Sequence, residues 1–212
     1  MQSCRIAILD SGVNPDHPHV SNIVGGIEVR PEGLFDNTID LLGHGTAVTG
    51  AIHEKAPTAE IFVVRIFHRA LSATILQLAA GLEWALDQRV DFINLSLGTV
   101  NASHRERLEP LVERATLQGC RIVSARHIGG VPAYPGCMPT VLGVEADPQI
   151  ARDTVVFSDD TAIASPYPRP IPGLPPERNI SGISFAVANV TGFLAARVMS
   201  ESPRTLFAGP RP

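Results

Sequence analysis

The sequence predicts an α/β fold in which helices flank a mostly parallel sheet. Five short runs rich in β-branched residues are typical of buried strands: residues 5–9, 60–66, 91–96, 121–125 and 140–144. Amphipathic segments at 72–88 and 104–118 separate some of them, and such alternation implies parallel strand pairing. A length of 212 residues suits one domain, and 44% hydrophobic but only 5% aromatic residues suit an aliphatic core.

Two further segments predict buried helices. Residues 180–196 contain no charged side chain and repeat small residues, which is typical of a helix packed on all sides. Another apolar helix is predicted to begin at His44 and to continue through Ile52. We expect residues 1–200 to form the domain and the polar, proline-containing residues 201–212 to form a frayed tail.

Six prolines crowd a short stretch before the last predicted helix: Pro166, Pro168, Pro170, Pro172, Pro175 and Pro176. Proline lacks a backbone N–H and fixes φ, so this stretch is neither a helix nor a central strand. We predict a stiff surface loop, which is either a plain connector or a rim that shapes access to a site.

Composition argues against several classes of partner. The net charge of −4 is modest and unclustered, so neither nucleic acid nor a membrane surface is an expected partner. No apolar run reaches the roughly 20 residues of a membrane span. The 3 cysteines, Cys4, Cys120 and Cys137, form no disulfide framework, and the first predicted strand begins too early for a signal peptide. We therefore expect a cytoplasmic protein.

Three motifs rich in glycine contain the groups needed for nucleophilic catalysis. Asp10 precedes Ser-Gly, His44 stands between two glycines, and Ser184 lies within Gly-Ile-Ser-Phe-Ala. A serine hydroxyl is a weak nucleophile until an imidazole accepts its proton, and a carboxylate must orient that imidazole. The chain order Asp, His, Ser differs from that of α/β-hydrolases, and Ala186 breaks their Gly-x-Ser-x-Gly motif.

Seven segments in register resemble the subtilisin-like serine proteases, or subtilases: residues 6–12, 17–18, 43–50, 93–98, 134–136, 141–144 and 181–192. The resemblance covers about residues 5–198 and implies a subtilisin-like three-layer fold. Residues 50–57 lead straight into the next strand without clustered oxygen ligands, so we expect no calcium loop and no metal. Because Asp10 stands so early in the sequence, we also expect no pro-domain. Hydrolysis by this chemistry needs no cofactor.

The resemblance also implies a substrate cleft. The segment that pairs with the substrate backbone is matched by Ser96, Leu97 and Gly98. The primary specificity pocket is matched by Ser124, Ala125, Arg126 and Ala133. Arg126 and Ala133 stand where the family has glycine, so we expect a narrow pocket for a small or acidic residue before the cut. Arg126 would fill the pocket, pair with an acidic side chain or point to solvent.

His127 replaces the family's asparagine, whose amide supports the developing oxyanion. Losing that donor costs roughly 10²–10³-fold in turnover. His127 can supply an N–H in its place, beside the backbone N–H of Ser184 at the start of a helix. Alternatively, His127 points elsewhere and a water or another backbone group takes that role.

The sequence thus predicts a serine endopeptidase in which Ser184 attacks, His44 serves as base and then acid, and Asp10 orients His44. A cytoplasmic subtilase without a pro-domain would be hazardous if it cut many proteins. We therefore expect one dedicated peptide substrate, such as the leader of a modified precursor peptide. Two alternatives stay open: a weak or inactive subtilase-like protein that only binds peptides, and a macrocyclase in which an amine captures the acyl-enzyme. No sequence feature indicates an oligomeric state.

Overall fold

The computed structural model describes residues 3–173, 175 and 178–200, and a nine-stranded sheet runs through it. The strands are β1 (Arg5–Asp10), β2 (Ile23–Arg30), β3 (Gly33–Phe35), β4 (Glu60–Arg65), β5 (Phe92–Leu95), β6 (Arg121–Ala125), β7 (His127–Ile128), β8 (Val131–Pro132), β9 (Leu142–Ala146), β10 (Val155–Ser158) and β11 (Thr161–Ala164). The helices are α1 (His44–Lys55), α2 (Ile75–Asp87), α3 (Arg105–Leu117) and α4 (Ile183–Ser200).

The sheet is parallel except at its two outer pairs. Its order is β10-β11-β9-β6-β5-β1-β4-β2-β3, and only β10–β11 and β2–β3 pair antiparallel. The short hairpin β7–β8 stands apart from this sheet. The α/β class and the mostly parallel pairing are confirmed. Because β5, β6 and β1 are neighbours, the segments that follow them meet at one edge of the sheet.

Side chains alternate between two cores, one on each face of the sheet. Ile6 and Ile8 of β1 pack in the cluster that contains α1 and α4. Ala7 and Leu9 pack in the cluster that contains α2 and α3. Successive strand residues point to opposite faces, so one strand supplies both cores. The result is the predicted arrangement of three layers.

Helix α4 is the central helix of the first core. By length and composition it is the one described helix that could cross a membrane, but half of that 18-residue window is buried inside the protein. Its burial is continuous from Phe185 to Gly192, whereas Phe193 and Leu194 are only partly buried. The prediction of a helix packed on all sides therefore holds for its first half alone.

The proline-rich segment contains no helix or strand at residues 165–173 and 175, as expected. Pro176 and the predicted tail, residues 201–212, lie outside the described residues.

Candidate active site

Asp10 and His44 are joined by a short hydrogen bond at the carboxyl edge of the sheet. Asp10 ends β1 and is 1% exposed, and His44 is the first residue of α1. The distance from His44 Nδ1 to Asp10 Oδ1 is 2.7 Å. Because a carboxylate can only accept, Nδ1 carries the proton and Nε2 is left free to receive another.

Two glycines permit this close approach of helix and strand. Gly12 has a φ of 102°, a left-handed conformation that favours glycine. A Cβ added to Gly45 would lie 2.2 Å from the carbonyl oxygen of Gly12. Any side chain at position 45 would therefore push the start of α1 away from Asp10. The glycine after the histidine is required by packing.

Asp40 holds the first turn of α1, although the sequence analysis did not single it out. Its Oδ1 accepts hydrogen bonds from the Ser11 hydroxyl and from the backbone N–H groups of Leu42 and Gly43, at 2.8, 2.9 and 2.8 Å. Its Oδ2 accepts from the N–H and hydroxyl of Thr46, at 2.9 and 2.7 Å. One sequence signal could have identified Asp40: it is an acidic residue shortly before a predicted helix start, where a negative charge is favourable.

The charges around His44 favour its protonated form. Burial disfavours a charged imidazole, but the hydrogen bond to Asp10 and the negative charges of Asp10 and Asp40 outweigh it and raise the pKa of His44 above its usual value. Burial likewise disfavours an ionised Asp40, yet its hydrogen bonds, led by that from Thr46, lower its pKa. Asp40 is thus a fixed negative charge beside the candidate base.

We expect Asp40→Asn to move the acid limb of the kcat/KM profile to lower pH. A general base must be neutral, so activity rises as pH passes through the raised pKa of His44, and removing a negative charge lowers that pKa. The pH dependence of kcat/KM measures this, with Asp40→Glu as the variant that keeps the charge. A profile that drops in height without moving would contradict an electrostatic role for Asp40.

Ser184 is the second residue of α4, and its hydroxyl points to the backbone rather than to His44. Ser184 Oγ donates to the carbonyl oxygen of Ser96 at 3.1 Å. The next residue, Phe185, packs its ring against that of His44, with 5.4 Å between centroids. A hydroxyl turns by rotation about χ1, and catalytic hydrogen bonds often form only with substrate bound. The hydrogen bond from Ser184 to His44, which would complete the triad, stays a prediction.

The segment expected to pair with substrate lies directly beside Ser184. Ser96 is buried, whereas Leu97 and Gly98 are partly exposed. The Ser124 hydroxyl donates to the carbonyl of Leu97 at 3.3 Å and so helps to hold this segment in place. A Cβ on Gly98 would lie 3.3 Å from that of Ala133, so these two residues face each other closely.

The predicted pocket residues meet at this place, but not all of them are accessible. Ser124, Ala125 and Ala133 are each fully buried, at 0% exposure. Because these side chains are buried, they would influence a bound substrate only through the shape of the pocket. The side chain of Arg126 packs near Gly143, and its Nε lies 4.0 Å from Glu145. Its guanidinium thus already has a carboxylate close by, which weakens the expected preference for an acidic residue before the cut.

His127 faces the same cavity as Ile183, the residue before Ser184. This cavity of about 410 Å³ is also lined by Glu145. His127 Nδ1 lies 3.2 Å from Glu145 Oε1. Both side chains are partly exposed, and this contact is not a hydrogen bond of the kind that joins His44 to Asp10. Sequence reasoning had not linked Glu145 to His127.

Comparison with known proteins identifies the class to which this arrangement belongs. The Subtilase family (Peptidase_S8) matches residues 2–127. The chain is a member of the subtilase family.

Individual relatives agree with this assignment. The chain is 30% identical to the thermostable alkaline protease of Halalkalibacterium halodurans, over 94% of this chain and 57% of that protein. It is 30% identical to Subtilisin Savinase of Lederbergia lenta, over 94% of this chain and 77% of that protein. The chain thus spans little more than half the length of the first of these relatives.

A solved structure confirms the subtilisin-like fold. The prenylagaramide maturation protease PagA superposes with a TM-score of 0.68 at 23% identity, covering 91% of this chain and 74% of that one.

Proposed function

We propose that this protein is a serine endopeptidase that cleaves a peptide substrate through an acyl-enzyme. The hydrogen bond between buried Asp10 and His44 carries the proposal, because it leaves Nε2 of His44 free to accept a proton next to the start of α4. Membership of the subtilase family supports it. So does the position of Ser184 beside the segment 96–98.

In the proposed reaction, Ser184 Oγ attacks the scissile carbonyl while its proton passes to His44 Nε2. Asp10 stabilises the imidazolium that forms. The tetrahedral intermediate collapses, and His44 returns the proton to the departing amine. Water then attacks the acyl-enzyme, again with His44 as base, and Ser184 recovers its proton. The backbone N–H of Ser184, near the start of α4, is free to support the oxyanion.

We also assign His127 as the second oxyanion donor. Its ring lines the same cavity as Ile183, the residue before Ser184. An imidazole N–H can donate a hydrogen bond there in place of the asparagine amide that the resemblance to the family leads us to expect.

We expect His127→Ala to slow turnover by more than about tenfold, since one oxyanion donor is lost. Labelling of Ser184 by a fluorophosphonate should survive, because the nucleophile is untouched. The matched variant His127→Asn should recover turnover, because an asparagine amide can donate to the oxyanion in place of the imidazole. Unchanged kcat in His127→Ala would reject the donor role.

The substrate proposed is a dedicated peptide, with leader removal from a modified precursor as the activity. PagA is described as a maturation protease. Ala133 in place of a glycine would narrow the primary specificity pocket and so favour a restricted set of sequences. By its motifs and its short length, the chain also resembles the protease that matures the small cross-linked subunit of quinohemoprotein amine dehydrogenase, and we propose a role of that kind. We propose a cytoplasmic location, since Cys4, Cys120 and Cys137 are unpaired thiols.

One observation favours a second candidate, a peptide-binding protein with little or no activity: the Ser184 hydroxyl is directed at Ser96 rather than at His44. A fluorophosphonate probe distinguishes the two, because it labels only an activated serine. Labelling supports the protease, and a protein that stays unlabelled while binding peptide would reject it. Product masses separate hydrolysis, which adds a water, from macrocyclisation, which does not.

A further inference from the structure

A second groove opens beside the start of α1, and no residue of segment 96–98 lines it. It has a volume of about 530 Å³. Residues 14–19, the start of α1 and the proline-rich segment around 168–172 form its walls. We name it the proline groove, after the segment that closes it.

The lining of the proline groove includes chain neighbours of the candidate base and of the candidate nucleophile. Gly43 and Ala47, which flank His44 in the first turn of α1, line it. So does Ile180, four residues before Ser184. None of its lining comes from residues 96–98 or 124–133. The groove is therefore separate from the segments expected to bind the substrate backbone and the residue before the cut, although it includes chain neighbours of His44 and Ser184.

The walls of the groove combine apolar surface with one cation that has no carboxylate partner. Ile171 and Ile180 line the groove and are 50% and 53% exposed. Within the described residues, no carboxylate forms an ion pair with the guanidinium of Arg169, which lines the same groove. An arginine fork of this kind matches a carboxylate.

The groups that face Arg169 do not neutralise it. Burial, and then the charge of Arg169, lower the pKa of His19. The same two causes lower the pKa of His53, although its contact with the Ala59 carbonyl opposes them. The Asp40 carboxylate, which also lines the groove, accepts hydrogen bonds from the start of α1. The charge of Glu54 raises the pKa of His19, but this carboxylate is paired with Arg152. The field in the groove is therefore positive near Arg169.

We propose that the proline groove binds the part of the substrate that leaves after cleavage, and that Arg169 selects a carboxylate on it. The proposal rests on the endopeptidase function above and adds a specificity determinant to it. The carboxylate is either an acidic side chain shortly after the cut or the C-terminus of the peptide. The proline-rich segment is then a rim of the active site as well as a connector.

A mixed-sequence peptide library, with fragments read by mass spectrometry, tests this. We expect carboxylates to be enriched in the few residues after the cut with the unchanged protein. Arg169→Gln should reduce that enrichment by roughly tenfold or more, since charged hydrogen bonds are lost. Arg169→Lys should keep part of it, and Arg107→Gln, an equal charge change at an exposed site on α3, should keep it all. Amidated peptides separate the two sources, because only a C-terminal carboxylate is removed by amidation.

Fluorophosphonate labelling of Ser184 in Arg169→Gln serves as the check on folding and nucleophile. Equal enrichment in Arg169→Gln and the unchanged protein overturns the Arg169 assignment while leaving the endopeptidase intact. Cleavage without any carboxylate enrichment does the same. If the unchanged protein cuts no peptide and takes no label, the endopeptidase proposal fails and the groove assignment falls with it.

Discussion

The Ser184→Ala protein is expected to fold normally and to lose turnover by about 10⁶-fold, as other triad hydrolases do when the nucleophile is removed. Ser184 is only partly buried and its hydroxyl has one acceptor, the Ser96 carbonyl, so its removal leaves the packing of α4 intact. Steady-state kinetics on a cleaved peptide measure the loss, and thermal unfolding checks the fold.

The matched control for this variant is Ser181→Ala, a serine close by in sequence but exposed and outside α4. It should retain both turnover and fluorophosphonate labelling, which Ser184→Ala should lack. Substantial hydrolysis by Ser184→Ala would show that another group attacks the substrate, and it would exclude the acyl-enzyme route.

Asp10→Asn should lower kcat by about 10⁴-fold with little effect on stability. An asparagine fills the same space but can present an amide N–H to His44 Nδ1, which moves the proton to Nε2 and removes the base. In the unchanged protein, Asp10 Oδ1 holds His44 in the tautomer that carries its proton on Nδ1. The buried Oδ2 of Asp10 has no hydrogen-bond partner among the described residues. That arrangement keeps negative charge next to the imidazole.

Kinetics and unfolding together test the Asp10→Asn expectation. The rate of fluorophosphonate labelling should fall along with kcat, since both depend on deprotonation of Ser184. Asp36→Asn, an exposed substitution of the same type, should alter neither. A loss of less than about tenfold in Asp10→Asn would mean that His44 does not act through this carboxylate.

Sequence reasoning located five of the parallel strands because their apolar runs are continuous, but it missed β11 and β2, which also pair in parallel. Strand β2 contains Gly25 and Gly26, which read as a turn. A Cβ on Gly26 would lie 2.5 Å from the carbonyl oxygen of Val63, so close strand approach selects the glycine. The start of α2 at Ile75 was misplaced by three residues, although Thr74 and Gln77 form a capping box that the sequence displays.

The candidate site was predictable where motif and chemistry coincide, as at Asp10 and His44. Glu145 was missed because it lies 18 positions beyond His127, on another strand. Asp40 stands close to His44 in the sequence, and it was missed because it belongs to none of the three catalytic motifs. The direction of the Ser184 hydroxyl depends on rotation about a single bond, which no sequence pattern encodes. The proline groove depends on where a loop folds back, and composition indicated only that the loop is stiff.

The contact between Gly45 and Gly12 has a thermodynamic consequence. Because backbone abuts backbone there, the acid–base pair is assembled when the chain folds, before any peptide arrives. The conformational entropy of ordering those groups is lost once, during folding, and does not have to be lost again in each catalytic cycle.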